Sequence, residues 1–171
     1  MLVTREVPQR IEDRLIVALD VPSIGEARTL VSMKAAIEVR GNSRLKVLAI
    51  TVLTSVDQKG LRDIGYLCSV EELVGPRVER ALACGCDGII AAPHDNPDEI
   101  RRRAGAENLL VVTPGVRLAG GAADDHKRVG TPAQAIAAGA DYLVVGRPIV
   151  KSGDPAAAAR RIIDDMRTAA P

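Results

Sequence analysis

Phenylalanine and tryptophan are absent from these 171 residues, and two tyrosines are the whole aromatic complement. A stacking platform for successive bases is thereby excluded, and the core has to be built from Val, Ile, Leu and Ala. An excess of one charge is missing as well. Twenty-three Lys and Arg against 22 Asp and Glu leave a net +1, so no basic field argues for a nucleic-acid partner. Cysteine is scarce: Cys68, Cys84 and Cys86 are an odd number, which suits a reducing compartment rather than a disulfide scaffold. "CGCDG" is not a zinc spacing and no second Cys pair or His cluster accompanies it, so no metal is expected. No apolar run approaches the ~18 residues of a membrane span. The opening "MLVTREVPQR" lacks the apolar stretch of a secretion signal, and a soluble, cytoplasmic protein without a membrane partner is expected.

What is present is an ordinary globular balance, 47% hydrophobic and 26% charged, in a length that fits one domain, residues 1–171. Short apolar runs recur between turn residues: "RLIVALD" (14–20), "LKVLAITVLTS" (45–55), "DGIIAAP" (87–93), "NLLVVTPG" (108–115) and "DYLVVGRP" (141–148). They are continuous rather than alternating, as strands of a parallel sheet covered on both faces are. Helix signals lie between them. Residues 69–85 open on Ser69 with Glu72 three positions later and close on a glycine. Asn96-Pro97, Thr131-Pro132 and Asp154-Pro155 each place a capping side chain before a first-turn proline. Strand then helix, repeated with short connections, is the rhythm of an α/β protein. "CGCDGIIAA" and "AGADYLVVG" echo one another, as repeated βα units of a barrel or solenoid do. A doubly wound dinucleotide fold is discounted, because "ALDVPS" stands where G-x-G-x-x-G would follow the first strand. The rhythm breaks once: residues 24–40 read as one long or broken helical stretch with no strand inside it.

In βα folds the chemistry sits beyond the C-terminal ends of the strands. The five runs deliver there Asp20; Thr54 and Ser55; Pro93 and His94; Pro114, Gly115 and Arg117; and Gly146 with Arg147. An arginine at a strand end is either a surface ion pair or half of an anion site. Glycine beside it lets main-chain N–H groups reach an anion that the guanidinium fork grips. Asp20 either braces a loop or accepts hydrogen bonds from substrate hydroxyls. The Gly- and Ala-rich loop 117–128 is either a mobile surface segment or a lid.

"LIVALDVPS", "ITVLTS", "VTPGVR", "KRVGTPAQAIAAGADYLVVGRPI" and "DPAAAA" resemble the orotidine 5'-monophosphate decarboxylase family, in order and spacing, from Arg14 to the last helix. The resemblance implies a (β/α)8 barrel, a homodimer with sites at its interface, no cofactor or metal, and conversion of OMP to UMP and CO2. By matching position, Asp20 resembles the aspartate that holds the ribose hydroxyls, and Thr54 the residue against the pyrimidine ring. Arg117 resembles a ligand-contacting arginine, and Gly146 with Arg147 the phosphate gripper. His126, in "DDHKR", stands where many bacterial members have a glutamine bridging phosphate and base.

The family's chemistry rests on a lysine after the second strand and an Asp-x-Lys-x-x-Asp-like array after the third. Neither occurs here, so no catalytic residue is assigned. The chain passes from its first helix, near Val31-Ser32, into what resembles the helix before the family's fifth strand. Strands two to four are expected to be missing, leaving an incomplete barrel of about five parallel strands where a full one takes ~250 residues. Three readings follow: a decarboxylase of this family, a non-catalytic phosphate- or nucleotide-binding remnant of it, or a related sugar-phosphate decarboxylase or aldolase.

Overall fold

The computed structural model describes residues 16–19, 26–41, 44–118 and 128–169. Five strands run in one direction: β1 (Ile16–Leu19), β2 (Lys46–Ile50), β3 (Gly88–Ile90), β4 (Leu110–Pro114) and β5 (Tyr142–Val144). They form a single sheet in the order β1-β2-β3-β4-β5, every neighbouring pair parallel. Helices return the chain between strands: α1 (Glu26–Arg40), α2 (Gln58–Asp63) with α3 (Val70–Ala83), α4 (Pro97–Ala104), and α5 (Pro132–Ala137). Past β5 come the short α6 (Arg147–Val150) and the closing α7 (Pro155–Arg167). This is the expected α/β architecture, an incomplete barrel of five parallel strands.

The starts at Ser69, Thr131 and Asp154 are where the side chains dictate, whereas Asn96 takes a left-handed φ of 52° and its side chain makes no capping bond to α4. Ser69 accepts the Glu72 N–H at 3.0 Å while the Glu72 carboxylate accepts the Ser69 N–H at 2.7 Å. Thr131 and Gln134 make the same reciprocal pair before α5. The stops repeat too. Gly85 and Gly139 both take positive φ, and the residues after them, Cys86 and Ala140, donate back to Ala81 and Ala135 at 3.0 Å. Pro76 sits inside α3 on its exposed face, so the helical bond it cannot make is lost where water reaches the carbonyl.

In and just beyond β2, β3 and β4, odd-numbered residues turn toward the helices. Val47, Ala49, Ile89, Ala91 and Val111 pack with Met33, Val74, Val78, Ala81 and Ile100 into the main core. With no large aromatic to fill space, alanines such as Ala81 and Ala91 let helix and sheet approach closely. Cys86 belongs to this core, 3.9 Å from the Met33 sulfur, and burial pushes its thiol up to about 11. On the opposite face Gly88 lies between Leu48 and Leu110. A Cβ there would come within 2.4 Å of the Leu110 carbonyl, so no other residue fits the middle of this sheet.

The sequence echo is a register lock. Asp87, just before β3, accepts the N–H of Val47 on β2 at 2.9 Å, and its own N–H donates to the Val47 carbonyl at 2.9 Å. Asp141, just before β5, treats Val111 on β4 the same way, at 2.8 and 2.9 Å. Each carboxylate is held by an arginine from a helix. Arg40 pairs with Asp87, joined by Lys46 at 3.2 Å. Arg101 donates to Asp141 at 2.5 Å and also to the carbonyls of Leu109 and Gly139.

Burial pushes the Asp87 carboxyl up, but the Val47 N–H, Lys46 and Arg40 together outweigh it and hold the group below its ordinary value. A depressed folded-state pKa contributes stability above the unfolded value and loses it as pH falls through the lower one. Asp87→Asn is therefore expected to destabilise by about 1–3 kcal/mol at neutral pH, with the gap to the parent closing below about pH 4. Denaturant melts at the two pH values check this; a gap independent of pH would contradict an ionised lock.

Among the described residues, β1 and β5 each have one strand neighbour. Val112 accepts the Ala91 N–H and so faces β3, which leaves Val111 and Thr113 to face β5; in this register the peptide groups of Tyr142 and Val144 face β4 and that of Leu143 faces away. Unpaired edge groups template further pairing, and self-association at micromolar concentration is expected. Light scattering reads it; a monodisperse parent monomer would refute the expectation.

Candidate functional site

Because all five strands point the same way, their C-terminal ends lie along one edge of the sheet, and the residues that follow them gather there. Thr54 is buried in the turn after β2. Arg117 lies three residues beyond β4, its N–H donating to the Gly130 carbonyl at 2.9 Å and its guanidinium to the Val116 carbonyl at 2.8 Å. Gly146 caps α6 and its carbonyl accepts the N–H groups of Ile149 and Val150; Arg147 opens that helix. A Cβ built on Gly146 would meet nothing within 4 Å, so the space over this glycine is open to an approaching group. Asp20 and His126 lie outside the described residues.

The run 45–55 reads as one strand in the sequence, yet β2 ends at Ile50. The reason is Arg128. Its guanidinium, only 11% exposed, donates to the carbonyls of Val52 at 2.8 Å, Leu53 at 3.1 Å and Val56 at 3.1 Å. Its main-chain N–H donates to Thr54 at 3.3 Å. Carbonyls that would have continued the ladder are drawn into a turn instead.

The charge of Arg128 is met by Asp95, which is 6% exposed and also accepts the Ala92 N–H at 2.8 Å. Asp95 ends a single 3-10 turn, Pro93–Asp95, beyond β3. Burial pushes its carboxyl above the ordinary range, against the pull of Arg128 and the Ala92 N–H. Next to it His94 Nε2 lies 2.6 Å from the Val129 carbonyl. Arg128 enters the sequence reading only as a letter of "DDHKR" and "KRVGTP"; the carbonyls it serves lie more than 70 residues upstream and Asp95 lies 33 upstream, where no short-range pattern points to them. Among the described residues no three His, Cys, Asp or Glu side chains gather where they could hold a metal ion. None of the described helices is long and apolar enough to cross a membrane.

Parallel strands in chain order, helices between them and polar side chains beyond one end make this a βα-barrel protein with an open barrel. A model of the orotidine 5'-phosphate decarboxylase / HUMPS family matches residues 26–162, and the chain belongs to that family. Orotidine 5'-phosphate decarboxylase of Nitrobacter winogradskyi is 49% identical over 137 residues, 80% of this chain but 56% of that protein. Its counterpart in Caulobacter vibrioides is 47% identical over 136 residues, 78% of this chain and 58% of the other. This chain thus spans less than three-fifths of these curated relatives. The crystal structure of orotidine 5'-phosphate decarboxylase from Lactobacillus acidophilus superposes with a TM-score of 0.63 at 29% identity, over 88% of this chain and 62% of that one. An uncharacterized conserved protein from Geobacillus kaustophilus, at 22% identity and a TM-score of 0.61, shares the fold over 88% of this chain and 75% of its own.

Gly130 is the tightest point of the site's framework. A Cβ on it would stand 2.8 Å from the buried Pro93 ring, which has no flexible end to yield. Gly130→Ala is expected to destabilise by about 1–3 kcal/mol, read as a lowered melting temperature. An unchanged melt would mean that the 3-10 turn gives way freely.

Proposed function

We propose that the strand-end face is an orotidine-monophosphate decarboxylase site that keeps its nucleotide-binding residues and lacks its chemistry. What carries the reading is the placement of Thr54, Arg117 and Gly146-Arg147 beyond the C-terminal ends of β2, β4 and β5, on one edge of a sheet whose family is established. In this reading Arg147 and the main chain around Gly146 take the phosphate, Arg117 a further ligand oxygen, and Thr54 the pyrimidine. Asp20 and His126 complete the set, against the ribose and between phosphate and base. A homodimer in the cytoplasm, needing no cofactor, is part of the same proposal.

The proposed gap has a structural counterpart. Helix α1 runs unbroken through Val31-Ser32, so one helix connects β1 to β2 where the full-length relatives would need three further βα units.

The chemical step demands more than binding. Losing CO2 from C6 of the pyrimidine leaves a carbanion-like centre that a preorganised cation must stabilise and protonate. The nearest pattern in the sequence is Asp57-Gln58-Lys59, with Asp63 beyond it. Lys59, however, is 80% exposed on α2, paired with Asp63 at 2.6 Å, and that hydrogen bond raises its pKa. Of the other lysines described, Lys46 serves Asp87 at the opposite end of the sheet, while Lys34 and Lys151 are exposed. Binding ground and transition states alike does not raise the chemical rate. On these residues this polypeptide is expected to bind nucleotide without appreciable turnover.

UMP should bind, measured calorimetrically, and Arg147→Ala should weaken it by tenfold or more, since a charge-assisted hydrogen bond contributes roughly 1.5–3 kcal/mol. Equal affinity in parent and variant would move the phosphate elsewhere. No fall in orotidylate absorbance is expected with purified protein, nor rescue of a uracil-requiring strain; turnover would refute the inactive reading.

A further inference from the structure

We infer that Arg128 is the positioning residue of this face: it sets where Thr54 stands relative to Arg117 by tying together segments that follow three different strands. This rests on the nucleotide reading for its consequence, but not for its geometry.

One residue gathers the carbonyls of Val52, Leu53, Thr54 and Val56, three through the guanidinium and one through the main chain. The remaining side of the guanidinium meets Asp95, itself pinned by the Ala92 N–H after β3. Two residues on, Gly130 accepts the Arg117 N–H at 2.9 Å and forms a parallel bridge with Val116 after β4. The segment 128–130 is thus a cross-tie between the Thr54 turn and the Arg117 segment, passing over the end of β3. Only a planar fork of fixed N–H donors can serve several carbonyls and a carboxylate at once. A lysine ammonium keeps the charge but not the fork.

The test uses the full chain with Arg128→Lys, which retains a cation opposite Asp95, and Asp95→Asn, which retains the carbonyl contacts. Amide hydrogen exchange is followed by mass spectrometry, and UMP binding by calorimetry. Arg128→Lys is expected to speed exchange in 51–56 at least tenfold while β3 and β4 keep the parent's protection, and to weaken UMP by tenfold or more. Asp95→Asn is expected to leave exchange in 51–56 within threefold of the parent. In Arg128→Gly, millimolar guanidinium should restore slow exchange to 51–56.

Exchange in 51–56 unchanged by Arg128→Lys would overturn the inference. So would uniform acceleration over all strands, which marks a merely structural residue, or loss of protection in 51–56 without weaker UMP binding in a parent that binds it. If the parent itself does not bind UMP, the nucleotide reading falls alone, and the exchange results still decide whether Arg128 holds the turn.

Discussion

A parallel sheet has no hairpins to set its register, so something else must, and here it is a carboxylate reaching sideways. Asp87 and Asp141 each take an N–H from the strand beside their own, at 2.9 and 2.8 Å, and return one from their own main chain. A one-residue slip would leave a partly buried carboxylate facing a carbonyl and turn Val47 or Val111 out of the core. The helix positions follow, because Arg40 and Arg101 must deliver their guanidinium groups to those same carboxylates. The ion pairs of Asp87 and Asp141 thus sit at the end of the sheet where strands begin, opposite the strand-end face proposed for a ligand. That division is typical of βα barrels.

At the finishing end the fastening is different in kind. No strand pairing joins the turn after β2 to the segment after β4, since β3 lies between them. Arg128 and Gly130 bridge that distance with hydrogen bonds to main-chain groups, largely independent of the side chains they hold in place. The polar residues there can differ among relatives while the frame beneath them stays the same. Fold and chemistry are separable here, because the frame rests on hydrogen bonds to main-chain groups, which make no demand on the side chains a reaction would need.

Much of this was readable in advance, and the physical reason is distance along the chain. The capping boxes at Ser69 and Thr131 involve residues three apart, so the letters alone announced them. The echo of "CGCDG" and "AGADY" was visible as repetition, but its meaning depends on Val47 and Val111, 40 and 30 residues away. The run through residue 55 looked like strand because its side chains are those of a strand. What ends β2 at Ile50 is a guanidinium that arrives from residue 128. Thr54, Arg117 and Gly146-Arg147 were read from motif order and stand after β2, β4 and β5, whereas Arg128 and Asp95 carry no local signature at all.

The strand order coincides with the chain order, β1 to β5. A closed barrel must join its first strand to its last, the contact with the greatest sequence separation in the molecule and the slowest to find. This sheet makes no such contact among its described strands; every ladder joins consecutive units. Its energetics are therefore those of a linear array, each unit stabilised by the one before and the one after. The two terminal units each have half the usual support. Opening can begin at either end and travel inward, so the chain has a stable middle, β2 to β4, flanked by units that exchange with solvent more freely.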